Sequence, residues 1–149
     1  MSESEALRRR FSKKAYAKFI SELDVEHVWM EGLSFSNIAG PVKPADVSVN
    51  LMVQGRWEPF EGGFLGQSMF EVDIFEADDM EFEEFPISLT ATFNAKFAVD
   101  SLPADPILDE FTREYLQTFT WPYFRLLLAD LMSRTGWSEF TLPPTITRF

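Results

Sequence analysis

The chain has no cysteine and a single histidine, His27. Disulfide stapling, thiolate nucleophiles and Cys-based metal centres are therefore excluded. No Cys–His or Ser–His–Asp constellation can be built around His27, which reads as a structural or solvated strand-edge residue. No run approaches the 18 apolar residues of a membrane-spanning helix, and the N-terminus lacks the apolar core and cleavage site of a signal peptide. A soluble, cytoplasmic chain without stable membrane insertion is the expectation. A Gly-rich phosphate loop is missing too. Asp78, Asp79 and Glu81 are only a weak calcium signal, because the alternating ligands and central glycine of such a loop are absent. Nothing in the spacing of the other carboxylates selects an acid–base pair. The expectation is a protein that is not an enzyme and has neither cofactor nor metal. Basic residues are also scarce. Thirteen Lys and Arg against 24 Asp and Glu give a formal net charge of −11, which disfavours binding to nucleic acid.

What is present is apolar and aromatic. The 149 residues suit one domain, and 16 Phe with 4 Trp offer more aromatic surface than one such core must bury. The surplus belongs either to a Phe-rich core or to an interface or groove that receives a partner. Residues 1–23 carry an N-terminal helix, read from Ser4 to about Leu23: Leu7, Phe11, Ala15 and Phe19 recur every four residues, flanked by Tyr16, Ile20 and Leu23. Its polar face holds Arg8, Arg9, Arg10, Lys13, Lys14 and Lys18. A packing helix with a solvated face explains this pattern better than a membrane-surface role.

Residues 25–99 read as an antiparallel sheet of four strands: Val25–Ile38, Val47–Trp57, Phe64–Phe75 and Ile87–Val99. The last is the clearest, with Ile87, Leu89, Ala91, Phe93, Ala95, Phe97 and Val99 alternating against polar neighbours. Gly40-Pro41, Glu61-Gly62-Gly63 and Glu84-Phe85-Pro86 punctuate the set. Residues 106–136 change to a helical period. Ile107, Leu108, Phe111, Tyr115 and Phe119 share a face, and Trp121-Pro122 is the expected interruption, with Pro122 opening a second helix. That helix is apolar nearly all round through Phe124, Leu126, Leu127, Leu128, Leu131 and Met132, and Gly136 is its expected left-handed cap. Residues 137–149, with Leu142-Pro143-Pro144, form an extended tail. The fold class is α+β: a four-stranded antiparallel sheet with a long C-terminal helix on one face, plus the N-terminal helix.

Three groups of side chains are candidates for function. Trp57, Phe60, Phe64, Met80, Phe82 and Phe85 are aromatic or flexible and lie beside loops, as groove residues or as loop anchors. Phe124, Leu127, Leu128, Leu131 and Met132 are oligomer-interface candidates, because one sheet covers only one side of such a helix; an internal core helix is the alternative. Glu71, Asp73, Glu76, Asp78 and Asp79 belong to an acidic run through Glu84, either a partner-docking surface or a solubilising loop.

Pro122-Tyr123-Phe124-Arg125, Leu131-Met132-Ser133-Arg134, Gly136 and Leu142-Pro143-Pro144 together resemble the helix and exit segment of the SecB-type export chaperones. The four strands ahead of them match that family's order of sheet, then long helix. Thr135 is inserted before the glycine, and the N-terminal helix is similar to that of SecB-like chaperones of toxin–antitoxin systems. The resemblance implies an ATP-independent holdase, assembled as a dimer of dimers, whose apolar grooves bind unfolded or extended polypeptide. It serves protein export or the control of a toxin–antitoxin pair, with SecA or an antitoxin as a further partner. The chain ends at Phe149, too soon for the family's second C-terminal helix, which argues against docking to SecA. Two other readings remain open: a small-ligand-binding or enzymatic α+β fold with an apolar cavity, and an adaptor for one folded partner.

Overall fold

In a computed structural model, residues 11–38, 47–76 and 87–136 are described, and they form an antiparallel sheet with helices on one face. In chain order the elements are α1 (Lys13–Glu22), β1 (Asp24–Asn37), β2 (Val47–Phe60), β3 (Gly63–Glu76), β4 (Ile87–Ala98), α2 (Asp105–Glu114) and α3 (Leu116–Arg134). The four strands are ordered β1-β4-β3-β2, so the connection from β1 to β2 joins opposite edges of the sheet.

The alternation in β4 decides which face is covered. Ile87, Leu89, Ala91, Ala95 and Phe97 are fully buried, as are Phe64, Phe70, Val72 and Ile74 on β3, which share that face through the register Phe64↔Phe97 and Val72↔Leu89. Two apolar clusters fill the space above them. One joins Phe70, Leu89 and Phe93 to Trp121, Phe124, Leu128 and Met132 of α3. The other joins Phe64 and Phe97 to Phe19 of α1, Ile107, Leu108 and Phe111 of α2, and Leu116. Phe111 stands edge-on to Phe19, Phe64 and Phe97 at centroid distances of 5.6, 5.5 and 5.3 Å. Edge-to-face geometry sets the positive ring edge against the negative ring face and adds to the gain from burial.

Local signals set the element boundaries. Ser12 caps α1, its Oγ accepting from the Ala15 amide at 3.0 Å. Gly62, at φ +93°, closes the β2–β3 hairpin in a conformation that side chains resist. Gly136, also at φ +93°, follows the α3 cap in the left-handed form expected of it.

The helical break falls elsewhere than Trp121-Pro122. It occurs at Tyr115, with φ −118° and ψ −29°, and Pro122 sits inside α3. A proline is tolerated there because the amide it lacks would have bonded to the Thr118 carbonyl, and both residues are on the solvent side. The core face is left intact. Within the described residues the N-terminal helix is Lys13–Glu22. Residues 1–10, the 39–46 and 77–86 connections and the 137–149 tail, including the Gly40-Pro41, Glu84-Phe85-Pro86 and Leu142-Pro143-Pro144 signals, lie outside the described residues.

Candidate functional site

The edge strand β2 and helix α2 enclose a cleft of about 420 Å³, lined by Val53, Gly55, Arg56, Trp57, Asp109, Thr112, Arg113 and Gln117. Gly55 makes the close approach possible. A Cβ at that position would stand 2.8 Å from the Thr112 carbonyl oxygen and 3.3 Å from Gln117 Nε2. Trp57 is half-buried in the wall, and its indole N–H donates to Asp109 Oδ1 at 2.8 Å. Arg113 bridges Glu110 at 2.6 Å and Glu114 at 2.9 Å. Those two carboxylates also face Tyr16 of α1. Burial foremost, and then their negative charge, push the Tyr16 hydroxyl up to about 12. At the break between the helices, Gln117 Nε2 donates to the Thr112 carbonyl at 3.1 Å. It thereby satisfies one of the last-turn carbonyls that α2 leaves without an amide.

A second surface lies at the opposite edge. β1 pairs only with β4, and its backbone edge is uncovered by any other described strand. Val25, Met30 and Leu33 pair with Phe97, Phe93 and Ala91, so they share the helix-covered face, yet they are exposed because no described helix reaches that far. Tyr123 of α3 is on the same side, its ring 6.4 Å from Phe93, and Leu126, one turn on, is 70 % exposed. Trp29, opposite Asn94, is exposed on the other face. Two kinks interrupt the β1–β4 register, between Val25 and His27 and between Met30 and Gly32. They break the alternation that would have marked these residues as one face.

The structure separates the groove candidates. Trp57 lines the cleft. Phe60 lies at the end of β2 with the Lys96 ammonium 5.2 Å from its ring centroid. Phe64 is completely buried, stacked on Phe97 at 4.9 Å. Its parity with Phe70, Val72 and Ile74 in the sequence already carried that signal. Met80, Phe82 and Phe85 lie outside the described residues.

Among the helix candidates, Phe124, Leu128 and Met132 belong to the chain's own core, and Leu127 and Leu131 pack partly against it. The large apolar α3 side chains left exposed among the described residues are Tyr123 and Leu126. Of the acidic group, Glu71 is half-buried on the open face of the sheet, opposite Met52. Asp73 is only 5 % exposed and accepts from the Ser88 hydroxyl at 2.8 Å. Glu76 is the last residue of β3, and Asp78 and Asp79 lie outside the described residues. Among the described residues no group of three or more His, Cys, Asp or Glu is placed to hold a metal, and no helix is long and apolar enough to cross a membrane.

No protein-family model and no curated protein matches this sequence. Its three-dimensional arrangement does have a counterpart among solved structures. The Mycobacterium tuberculosis Rv1957 SecB-like chaperone, solved in complex with a ChAD peptide from the Rv1956 HigA1 antitoxin, superposes with a TM-score of 0.72. The match covers 94 % of this chain and 99 % of that one, at 15 % sequence identity. At so low an identity the likeness is one of architecture. With its four-stranded antiparallel sheet under a long C-terminal helix, the chain has the fold of the SecB-like chaperones.

Proposed function

We propose that the protein is an ATP-independent holding chaperone that self-associates and keeps extended or unfolded polypeptide from aggregating. The observation that carries this reading is the apolar surface that the described part of its SecB-like fold leaves uncovered: Val25, Met30 and Leu33 on the β1 edge, with Tyr123 and Leu126 on α3. Contiguous apolar side chains of this size, with an unpaired strand edge, favour association with protein. The opposite edge, with Trp57 beside it, suits an extended chain that pairs with β2 and buries side chains against α2. Burial is non-directional, so such a surface accepts many sequences.

The SecB-like neighbour was solved with an antitoxin peptide, which supports polypeptide clients, an antitoxin among them. Assembly as a dimer of dimers in the cytoplasm, without nucleotide, completes the proposal. The net charge of −11 would keep a client-loaded assembly soluble. Light scattering tests it. A reduced, slowly folding client should stop scattering when the protein is added in comparable amount, and ATP should change nothing. Undiminished scattering at a several-fold excess would refute the reading.

A further inference from the structure

We infer that α1 is a displaceable strap, and that its Phe19 fills an aromatic recess which a phenylalanine of a bound polypeptide takes in its place. The inference rests on the chaperone reading above and names one side chain that the surface selects.

The hold of α1 on the rest of the chain is slight. Phe19, 6 % exposed, is the one buried side chain of this helix, and Tyr16 and Ile20 are half-buried. Its side-chain hydrogen bonds close within the helix and its cap, from the Ala15 amide to Ser12 Oγ and from Ser21 Oγ to the Lys18 carbonyl. Its ion pair, Lys18 with Glu22, does the same. Among the described residues no hydrogen bond or ion pair ties α1 to another element. Apolar contact is non-directional, and an element with so few buried contacts opens at low free energy. Leu23, extended at φ −66° and ψ 134°, is the single residue between α1 and β1 and serves as the pivot.

The recess beneath is built without Phe19. Phe64 and Phe97 stack at 4.9 Å, and Phe111 stands edge-on to both at 5.5 and 5.3 Å. These rings come from β3, β4 and α2, so the sheet and α2 fix them together. Phe19 adds its ring edge-on at 5.6 Å from Phe111, and at 6.0 Å from Phe64. A phenylalanine from outside gains the same burial and the same edge-to-face contact. A preformed site also costs little ordering of its own. Val25 and Val28 pair with Phe97 and Ala95 on the same face. A segment whose ring enters the recess therefore continues along β1 toward the exposed Met30 and Leu33.

The test follows hydrogen exchange of the full chain, alone and saturated with either of two peptides. They share one extended apolar sequence and carry Phe or Ala at the central position. With the Phe peptide the α1 amides should exchange about tenfold faster or more, because a displaced helix this short does not keep its hydrogen bonds in water. The Ala peptide should leave them unchanged, and the amides of β3, β4 and α2 should stay protected with both. Phe19→Ala empties the recess, so by calorimetry it should bind the Phe peptide roughly tenfold tighter than the parent chain does. Equal or weaker binding by that variant would mark Phe19 as a core residue only and overturn the inference. The exchange result is read on the parent chain and stands whether or not the variant folds. Bound Phe peptide with unaltered α1 exchange, or equal release by both peptides, would overturn the inference and leave the chaperone reading intact. Failure of both peptides to bind would overturn both.

Discussion

At the scale of single residues, the aromatic knot around Phe111 carries the helix layer. Its ring is fully buried and meets Phe19, Phe64 and Phe97, one from each of three other elements. Phe111→Ala should lower the unfolding free energy by about 3–5 kcal/mol, because it removes the ring and leaves a cavity among side chains that cannot all close in. Urea titration checks this. Gly55→Val should also destabilise, since its side chain would drive into the Thr112 backbone, and a cost of about 1–3 kcal/mol is expected for such overpacking. Tyr16 gives a pH signature. Its hydroxyl is pushed up to about 12 in the folded chain, against 10.0 for an ordinary tyrosine. The neutral form is thus favoured by folding, and its contribution is complete below pH 10.0 and lost as the pH rises through about 12. Between those values the parent chain should lose stability more steeply than Tyr16→Phe, as denaturant midpoints measured at several pH values will show.

At the scale of elements, the helix pair turns on Tyr115, and Pro122 is carried inside α3. Replacing Pro122 by Ala restores an amide to the Thr118 carbonyl without touching the core face. The change should stabilise the protein by about 1–3 kcal/mol, below or up to the full helix-interior penalty of proline. A loss of stability would mean that the proline sets a bend the core requires. The same helix shows how far the sequence can be read. A Trp-Pro pair in an apolar helical run looks like a start, because proline suits a first turn. Whether it breaks a helix depends on which side faces solvent, and only the packing decides that. β4 was legible residue by residue, since its strict alternation has one physical solution. β1 was not: its register kinks and edge position leave Trp29, Met30 and Leu33 exposed, although their types suggest a core. For the same reason Phe124, Leu128 and Met132 look like interface residues in sequence and form the chain's own core. Side-chain type records that a residue needs cover and is silent on who provides it. The cleft was the least legible part, because Trp57, Asp109 and Gln117 come together only through the tertiary fold.

At the scale of the whole molecule, the SecB-like fold leaves two unlike edges. The helix-side face of β1 exposes the apolar Val25, Met30 and Leu33 beside Tyr123 and Leu126, as suits a surface that meets a second copy of the chain. The β2 side is mixed, with Trp57, Asp109 and two arginines around a cleft, as suits a client of varied sequence. Separation of these edges predicts separable defects. Met30→Lys with Leu33→Lys should dissociate the assembly, because a charge on each edge strand opposes close strand pairing. Size-exclusion chromatography with light scattering checks that result. These exposed positions lie outside the buried core, so circular dichroism of the variant should remain that of the folded chain.

The central claim, that an assembly of this chain holds unfolded polypeptide, is tested most directly by native mass spectrometry with a reduced, unfolded client and with the same client in its native form. The account predicts a dimer or tetramer that captures the unfolded client and ignores the native one. A monomer that captures neither would contradict it.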